Sequence, residues 1–171
     1  SKSDSGKMHT FDMRGLGFSC SYDLISCAAE NFDAAIKRLL SEYDAFNVTI
    51  PYKLDVIPYL KRIEGDAKVF GAVNTVKDGI GYNTDGVGFS LMLENNGIDV
   101  NDVNVTGVGM HKTEGISPVG AEMLAKTRIA CDLIYYPRKS EFLRIAESLG
   151  KRILNGEGML YYQAYYSDCI I

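Results

Sequence analysis

The hydrophobic and polar positions along this 171-residue chain follow two different periods. Phe46, Val48 and Ile50 fall at every second position, which predicts a strand, and Pro51 then suits the first turn of a helix. After Asn31, apolar residues return every three or four positions, which predicts an amphipathic helix. Because strands and helices of this kind follow one another along the chain, the predicted fold class is α/β.

Proline, glycine and asparagine mark where the predicted elements end. The helix from Pro51 is expected to bend or stop at Pro58. The pair Asp78-Gly79 is typical of a tight turn between strands at 72–76 and 81–83. The remaining signals predict a helix over 86–95, a strand over 130–135, a helix that begins after Ser140 and a closing helix from Gly158.

Composition and charge then limit the partners. The net charge is −4 and no cluster of lysine or arginine occurs, which argues against binding to nucleic acid or to an anionic membrane. No apolar run reaches the roughly 18 residues that a membrane span needs, and no signal-peptide pattern opens the chain. We therefore expect a small-molecule ligand and a cytoplasmic location, and the pattern predicts no particular oligomeric state.

The cysteines and histidines predict no metal site. Four cysteines are scattered without a C-x-x-C pair, and the chain contains only two histidines, His9 and His111. Reduced cysteines of this kind are typical of a cytosolic protein.

Candidate chemistry is concentrated in three stretches, which read NVTIPYK at 47–53, GAVNTV at 71–76 and GYNTDG at 81–86. Lys53 follows a predicted strand, where α/β proteins bind ligands. An ammonium held beside a carboxylate can donate a proton to a developing alkoxide, so Lys53 and Asp85 are a candidate catalytic pair. Taken alone, Lys53 could also be a solvated loop residue and Asp85 a helix cap.

Together the three stretches closely resemble the substrate-domain signature of the shikimate dehydrogenase family. The resemblance implies an oxidoreductase that uses NADP to reduce 3-dehydroshikimate to shikimate in aromatic amino-acid biosynthesis. It implies that Lys53 and Asp85 are catalytic. It also implies substrate contacts from Asp85 itself and from four further residues: Thr49, Asn74, Tyr135 and Gln163. For Tyr135 the alternatives are a contact with the nicotinamide and a core residue whose hydroxyl reaches solvent.

The substrate carboxylate of the family is held by a serine pair, which Ser19 and Ser21 resemble in part. The proline that usually follows the pair is Tyr22 here. The family has a helix between the serines and the next strand, whereas residues 22–25 already have the pattern of that strand. Ser19 and Ser21 are therefore candidates for substrate binding, with ordinary turn serines as the alternative.

The dinucleotide-binding half departs from the family pattern. A strand, a glycine-rich turn and a helix are expected after residue 100, but residues 104–110 read NVTGVGM, which resembles a later strand and loop. The stretches 79–81, 86–88 and 107–109 each begin a G-x-G-x-x-G/A fingerprint, and none of them completes it. The front of the Rossmann-like domain is missing from the sequence. By resemblance, Gly156 and Met159 are the remaining candidates for contact with NADP.

The expected organisation is a substrate domain over 1–97, completed by the closing helix 157–171, and an incomplete Rossmann-like domain over 101–156. We expect a mostly parallel, helix-flanked sheet in the substrate domain. Dehydrogenase activity then depends on residues that the printed sequence lacks. The alternatives are a non-catalytic protein that binds shikimate or quinate, and a deliberately shortened chain without the cofactor site.

Overall fold

A computed structural model describes residues 5–15, 17, 19–106 and 115–171. The chain divides into a first unit, Ser1–Val87 with Gln163–Ile171, and a second unit, Gly88–Tyr162. Both divisions fall inside helices, α4 (Asp85–Asn95) and α7 (Glu157–Ile170).

The first unit contains a four-stranded sheet whose order is β1-β3-β4-β2. Strand β3 is antiparallel to both β1 and β4, and only β2 and β4 are parallel, so the prediction of a mostly parallel sheet was wrong. The reason is local. Asp78 and Gly79 have φ values of 53° and 74°, and this tight turn reverses the chain directly from β3 into β4. The strands are β1 (Ala45–Asn47), β2 (Arg62–Ile63), β3 (Thr75–Lys77) and β4 (Ile80–Tyr82).

Three helices of the first unit are α1 (Ser5–Gly15), α2 (Phe32–Glu42) and α3 (Asp66–Phe70). The amphipathic pattern after Asn31 correctly predicted α2. Its residue Ile36 is 1% exposed and belongs to the core that also contains Val56, Val73 and Val76. Val73 and Val76 flank Asn74 and Thr75, so close packing of this apolar core holds the segment that carries these two polar residues.

Two predicted elements of the first unit do not form. The stretch after Pro51 consists of turns followed by a 3₁₀ helix, Ile57–Tyr59, within which Pro58 lacks the backbone N–H that a continuing α-helix needs. Residues 22–25, expected as a strand, have no regular secondary structure. The helix that precedes them is α1.

The second unit contains three parallel strands in the order β5-β6-β7. They are β5 (Val103–Thr106), β6 (Ile129–Asp132) and β7 (Arg152–Leu154), connected through α5 (Ala121–Leu124) and α6 (Glu141–Ser148). Parallel strands with helical crossovers are the arrangement expected of a Rossmann-like unit. The second half of the motif at 104–110 lies outside the described residues.

The core of the second unit is mainly apolar. Phe142 and Leu143 of α6 pack with Leu124 and Ala130, and a second cluster forms around Met92 and Cys131. All four cysteines are free thiols. Among the helices of the described ranges, none combines the length and apolar character needed to cross a bilayer.

Candidate active site

The centre of the site is an ion pair between Lys53 and Asp85. Lys53 Nζ donates to Asp85 Oδ2 at 2.6 Å, and the two side chains are 27% and 29% exposed, so a ligand can reach both. The backbone fixes each partner. The Lys53 carbonyl accepts from Val73 N at 2.8 Å, and the N–H of Asp85 donates to Asn83 Oδ1 at 2.9 Å. The predicted pair is therefore formed and oriented before any ligand is considered.

Asn74 holds the other carboxylate oxygen. The backbone N–H of Thr84 donates to Asn74 Oδ1 at 3.0 Å, and a donor at that position requires the oxygen of the amide to face it. Asn74 Nδ2 consequently points to Asp85 Oδ1 at 3.1 Å. Because Asn74 is 4% exposed, its best-supported role in this geometry is to orient Asp85.

Gln163 joins the same cluster from α7. Its side-chain Oε1 lies 3.4 Å from Asn74 Nδ2, which is a long hydrogen bond. Its main-chain carbonyl accepts from Thr84 Oγ1 at 2.9 Å. The structure thus brings together four of the predicted residues, Lys53, Asn74, Asp85 and Gln163.

Thr84 is a further site residue, which the sequence patterns did not single out. Its hydroxyl, 1% exposed, accepts from Asn74 Nδ2 at 3.0 Å and donates to the Gln163 carbonyl. The available signal was its position between Asn83 and Asp85 at the start of α4. A threonine at a helix start normally indicates a cap, so only the tertiary contacts reveal this second role.

A second layer of polar groups lies behind Asn74. Thr75 Oγ1 lies 3.1 Å from Asn74 Oδ1 and 3.0 Å from Ser167 Oγ, and Ser167 also accepts from Asn47 Nδ2 at 2.6 Å. Thr75 and Ser167 are fully buried. Buried polar groups with several partners restrict side-chain rotation, so this layer stiffens the site.

Thr49, Ser19 and Ser21 are less tightly placed. All three are exposed, and the described residues show no hydrogen bond from their side chains to the ion pair. Thr49 contributes its carbonyl to the turn before Lys53, where it accepts from Tyr52 N at 2.9 Å. Their roles in substrate binding stay predictions.

Three further candidates lie in the second unit. Tyr135 follows β6 and is 42% exposed. Met159 packs against the cluster around Met92 and Cys131. A side chain at Gly156 would place Cβ 1.9 Å from the Leu133 carbonyl oxygen, so glycine is required there by close backbone packing. These contacts explain Gly156 and Met159 structurally, and their contact with a cofactor stays a prediction.

Asp132 is the buried carboxylate of the second unit. Ser140 Oγ donates to Asp132 Oδ2, and Ile134 N donates to Oδ1 at 3.2 Å. Burial raises the pKa of Asp132, and these two hydrogen bonds offset part of the rise. Ser140 therefore bonds Asp132 and does not cap α6 through its side chain.

Comparison with known proteins identifies the family of this chain. Residues 1–76 match the family model described as the shikimate dehydrogenase substrate binding domain. The NADP(+)-dependent shikimate dehydrogenase of Methanocaldococcus jannaschii is 30% identical over 192 aligned positions, which cover 69% of this chain and 68% of that enzyme. This chain belongs to the shikimate dehydrogenase family.

Other relatives extend the match. The NADP(+)-dependent enzyme of Methanococcus maripaludis strain C7 is 28% identical over 233 positions, covering 94% of this chain and 83% of the relative. The shikimate dehydrogenase structure from Thermotoga maritima has a TM-score of 0.84 at 28% identity and covers 99% of this chain and 88% of that one. A shikimate dehydrogenase crystallised with NADP+ has a TM-score of 0.86 at 26% identity, over 98% and 85%.

The alignment with the Methanococcus maripaludis enzyme is longer than this chain. An alignment of 233 positions is longer than the 171 residues of the chain, so this shikimate dehydrogenase family member lacks residues that its relative has.

The family match also bears on the serine pair. In the family pattern the pair precedes a helix, and the observed helix α1 lies before Ser19 and Ser21. A second Ser-x-Ser sequence, Ser3-Asp4-Ser5, comes directly before or at the start of α1. The assignment of a serine pair to the substrate carboxylate stays a prediction.

Proposed function

We propose that this chain carries the substrate and proton-transfer site of an NADP-dependent shikimate dehydrogenase, which interconverts 3-dehydroshikimate and shikimate in cytoplasmic aromatic amino-acid biosynthesis. The observation that carries the proposal is the accessible Lys53–Asp85 ion pair, whose second carboxylate oxygen is held by Asn74. The residues of this site, Lys53, Asn74, Asp85 and Gln163, come from separate segments of the first unit.

Lys53 performs the proton step in this proposal. Interconversion of a ketone and a secondary alcohol requires a proton at the oxygen atom, and the Lys53 ammonium can give it during reduction. Its amine form can accept the proton during oxidation. Asp85 holds Lys53 Nζ at 2.6 Å and leaves the remaining ammonium protons for the substrate oxygen.

The remaining candidates read the substrate ring. The Gln163 amide can both donate to and accept from hydroxyl groups. Asn74, also assigned to the substrate site by the family resemblance, acts in this proposal mainly by orienting Asp85. We also assign Thr49 to the substrate site, because it lies four residues before Lys53 in the sequence. The carboxylate of shikimate is assigned to a serine pair, either Ser19 and Ser21 or Ser3 and Ser5, and Tyr135 is assigned to the substrate or the nicotinamide side.

The dinucleotide site is incomplete in this chain. NADP is the cofactor named for the relatives, and its pyrophosphate requires a glycine-rich turn at a helix start. The printed sequence does not complete that fingerprint. The residues present therefore do not fit the whole cofactor, and we assign no step that passes through it.

The experiment that tests this proposal combines intact mass with turnover. The mass of the purified protein is compared with the 18.9 kDa of the sequence, and NADP-dependent oxidation of shikimate is then followed at alkaline pH. We expect a greater mass, and a loss of kcat of about 10²-fold or more in Lys53→Ala, because a general acid–base residue contributes 10²–10⁴-fold. Lys37→Ala, an exposed lysine of α2, is the matched control.

A mass of 18.9 kDa without turnover supports the second candidate. The incomplete fingerprint favours this alternative, a shikimate- or quinate-binding protein that does not catalyse hydride transfer. Shikimate affinity measured by calorimetry then separates it from a chain that binds neither compound. Equal turnover in Lys53→Ala and the parent protein contradicts the catalytic assignment.

A further inference from the structure

The most unusual buried contact outside the proposed chemistry joins His9 and Asp168. His9 Nδ1 lies 2.5 Å from Asp168 Oδ1, and each residue is 4% exposed. The carboxylate can only accept, so Nδ1 carries the proton. The two residues are 159 positions apart, on α1 and in the last turn of α7. The reaction described above uses neither of them.

The surroundings of the pair are also polar. The His9 ring stacks on Tyr22 with 4.9 Å between centroids and an interplanar angle of 8°. Burial, and secondly the charge of Asp168, raise the pKa of Tyr22 to about 12. Tyr22 therefore stays neutral and donates its hydroxyl proton to Asn47 Oδ1 at 3.3 Å. Asn47 in turn donates to Ser167, the neighbour of Asp168.

These contacts hold the end of α7 at three levels. At Gln163 the main-chain carbonyl accepts from Thr84, at Ser167 the hydroxyl meets Asn47 and Thr75, and at Asp168 the carboxylate meets His9. The last two anchors lie about one helical turn beyond Gln163. The rotation of α7 about its axis, and its position along that axis, are therefore set partly by residues outside the substrate site.

Stability alone is a poor explanation for the pair. A buried carboxylate and a buried imidazole both lose their hydration, and apolar residues of similar volume often stabilise a fold as well or better. In addition, Asp168 Oδ2 is buried and has no hydrogen-bond partner in the described part of the chain. A charged hydrogen bond does supply direction, which apolar packing does not.

We propose that His9 and Asp168 are a positioning pair, which fixes α7 against α1 and thereby sets the Gln163 side chain beside Asn74. The affinity part of this inference rests on the proposed function, because it uses shikimate as the ligand. The positional part does not. It concerns only where the Gln163 amide lies in the protein without ligand.

Two variants separate positioning from stability. In His9→Leu combined with Asp168→Leu, the pair is replaced by apolar groups, so we expect a urea midpoint equal to or above that of the parent. We expect shikimate affinity, measured by calorimetry, to fall at least tenfold. In Asp168→Asn the hydrogen bond to His9 is retained, and affinity should stay within about threefold.

A ligand-free measurement accompanies the affinities. The side-chain amide signals of Asn74 and Gln163 in ¹H–¹⁵N NMR spectra should move in the double variant and stay in place in Asp168→Asn. Phe142→Ala, which opens the core of the second unit, is the control: it should lower the urea midpoint without moving either amide signal.

The outcomes are distinguishable. Unchanged amide signals in a folded double variant overturn the positioning role, whatever the affinity. If the double variant does not fold, the decision passes to Asp168→Asn and Asp168→Ser, where amide signals that stay unchanged in Asp168→Ser overturn the inference. A parent protein that does not bind shikimate contradicts the proposed function, while the amide signals still decide the positional inference.

Discussion

The two units bury polar side chains in different ways. Within the described residues, the first unit buries His9, Asn74, Thr75, Asn83, Thr84, Ser167 and Asp168, whereas the second buries only Thr127, Asp132 and Ser140. The partners in the second unit are close in sequence: Thr127 bonds the Leu124 carbonyl, and Ser140 bonds Asp132. In the first unit they come from distant segments, as His9 and Asp168 do.

This difference separates two uses of burial. Local pairs in the second unit satisfy groups that the turns leave unpaired, and the core around Phe142 is apolar. The long-range pairs in the first unit join β1 and β3 to α7, and Thr84 to Gln163, while Asn74 bonds Asp85 directly. The comparison indicates that the first unit is organised around chemistry and the second around packing.

The largest expected effect is on turnover in the first unit. Asp85→Asn keeps the volume of the side chain and removes the charge that holds Lys53 Nζ, so kcat for shikimate oxidation should fall by about 10²-fold or more. Steady-state kinetics measures this. Asp33→Asn, on the exposed surface of α2, is the control, and a kcat within threefold of the parent in Asp85→Asn would contradict the assignment.

The next effect is on stability in the second unit. Phe142 is 2% exposed, and Phe142→Ala should lower the free energy of unfolding by about 3–5 kcal/mol through lost burial and a cavity. Urea denaturation measures the change. Shikimate affinity at low denaturant should not change, and the exposed Met123→Ala should leave both quantities near the parent values. A tenfold loss of affinity in Phe142→Ala would break the separation of roles.

A smaller effect is expected at Thr84, the residue directly before α4. Thr84→Val keeps the shape but removes the hydroxyl that joins Asn74 to the Gln163 carbonyl, so it should cost about 1–3 kcal/mol of unfolding free energy. It should also weaken shikimate affinity. Thr84→Ser retains the hydroxyl and should restore affinity, whereas equal affinities in both variants would reduce Thr84 to a structural role.

The smallest effect concerns pH and Asp132. Its pKa in the folded protein is raised by burial, so the folded state holds the proton to higher pH than the unfolded state. The stability contribution of Asp132 is complete below its unfolded pKa and is lost as pH rises through its folded pKa. Urea curves between pH 3 and pH 7 should show this loss for the parent relative to Asp132→Asn. A pH-independent difference between them would contradict the raised pKa.

The local signals of the sequence predicted several elements well. The apolar spacing after Asn31 predicted α2, and Asp78-Gly79 predicted the hairpin between β3 and β4. The helix expected over 86–95 is α4, which begins one residue earlier, at Asp85. These predictions succeed because periodicity and turn geometry depend on residues only a few positions apart.

The direction of the strands in the first unit was predicted less well. The hairpin already implied an antiparallel pair, yet the family pattern suggested a mostly parallel sheet, and β1 then paired antiparallel with β3. Pairing between distant strands depends on how the whole chain packs, which local patterns do not report. The helix expected from Pro51 did not form for a local reason, because Pro58 lacks the backbone N–H that a continuing helix needs.

The sequence by itself determined the chemistry that the first unit can offer: a lysine after a strand, an aspartate at a helix start, and amides from two further segments. Only the tertiary structure decided how these groups are used. The amide of Asn74 faces Asp85 because Thr84 N–H fixes its oxygen, and α7 is anchored through a contact between His9 and Asp168. Hydrogen bonds between residues far apart in sequence have no periodic signature, so folding alone brings them together.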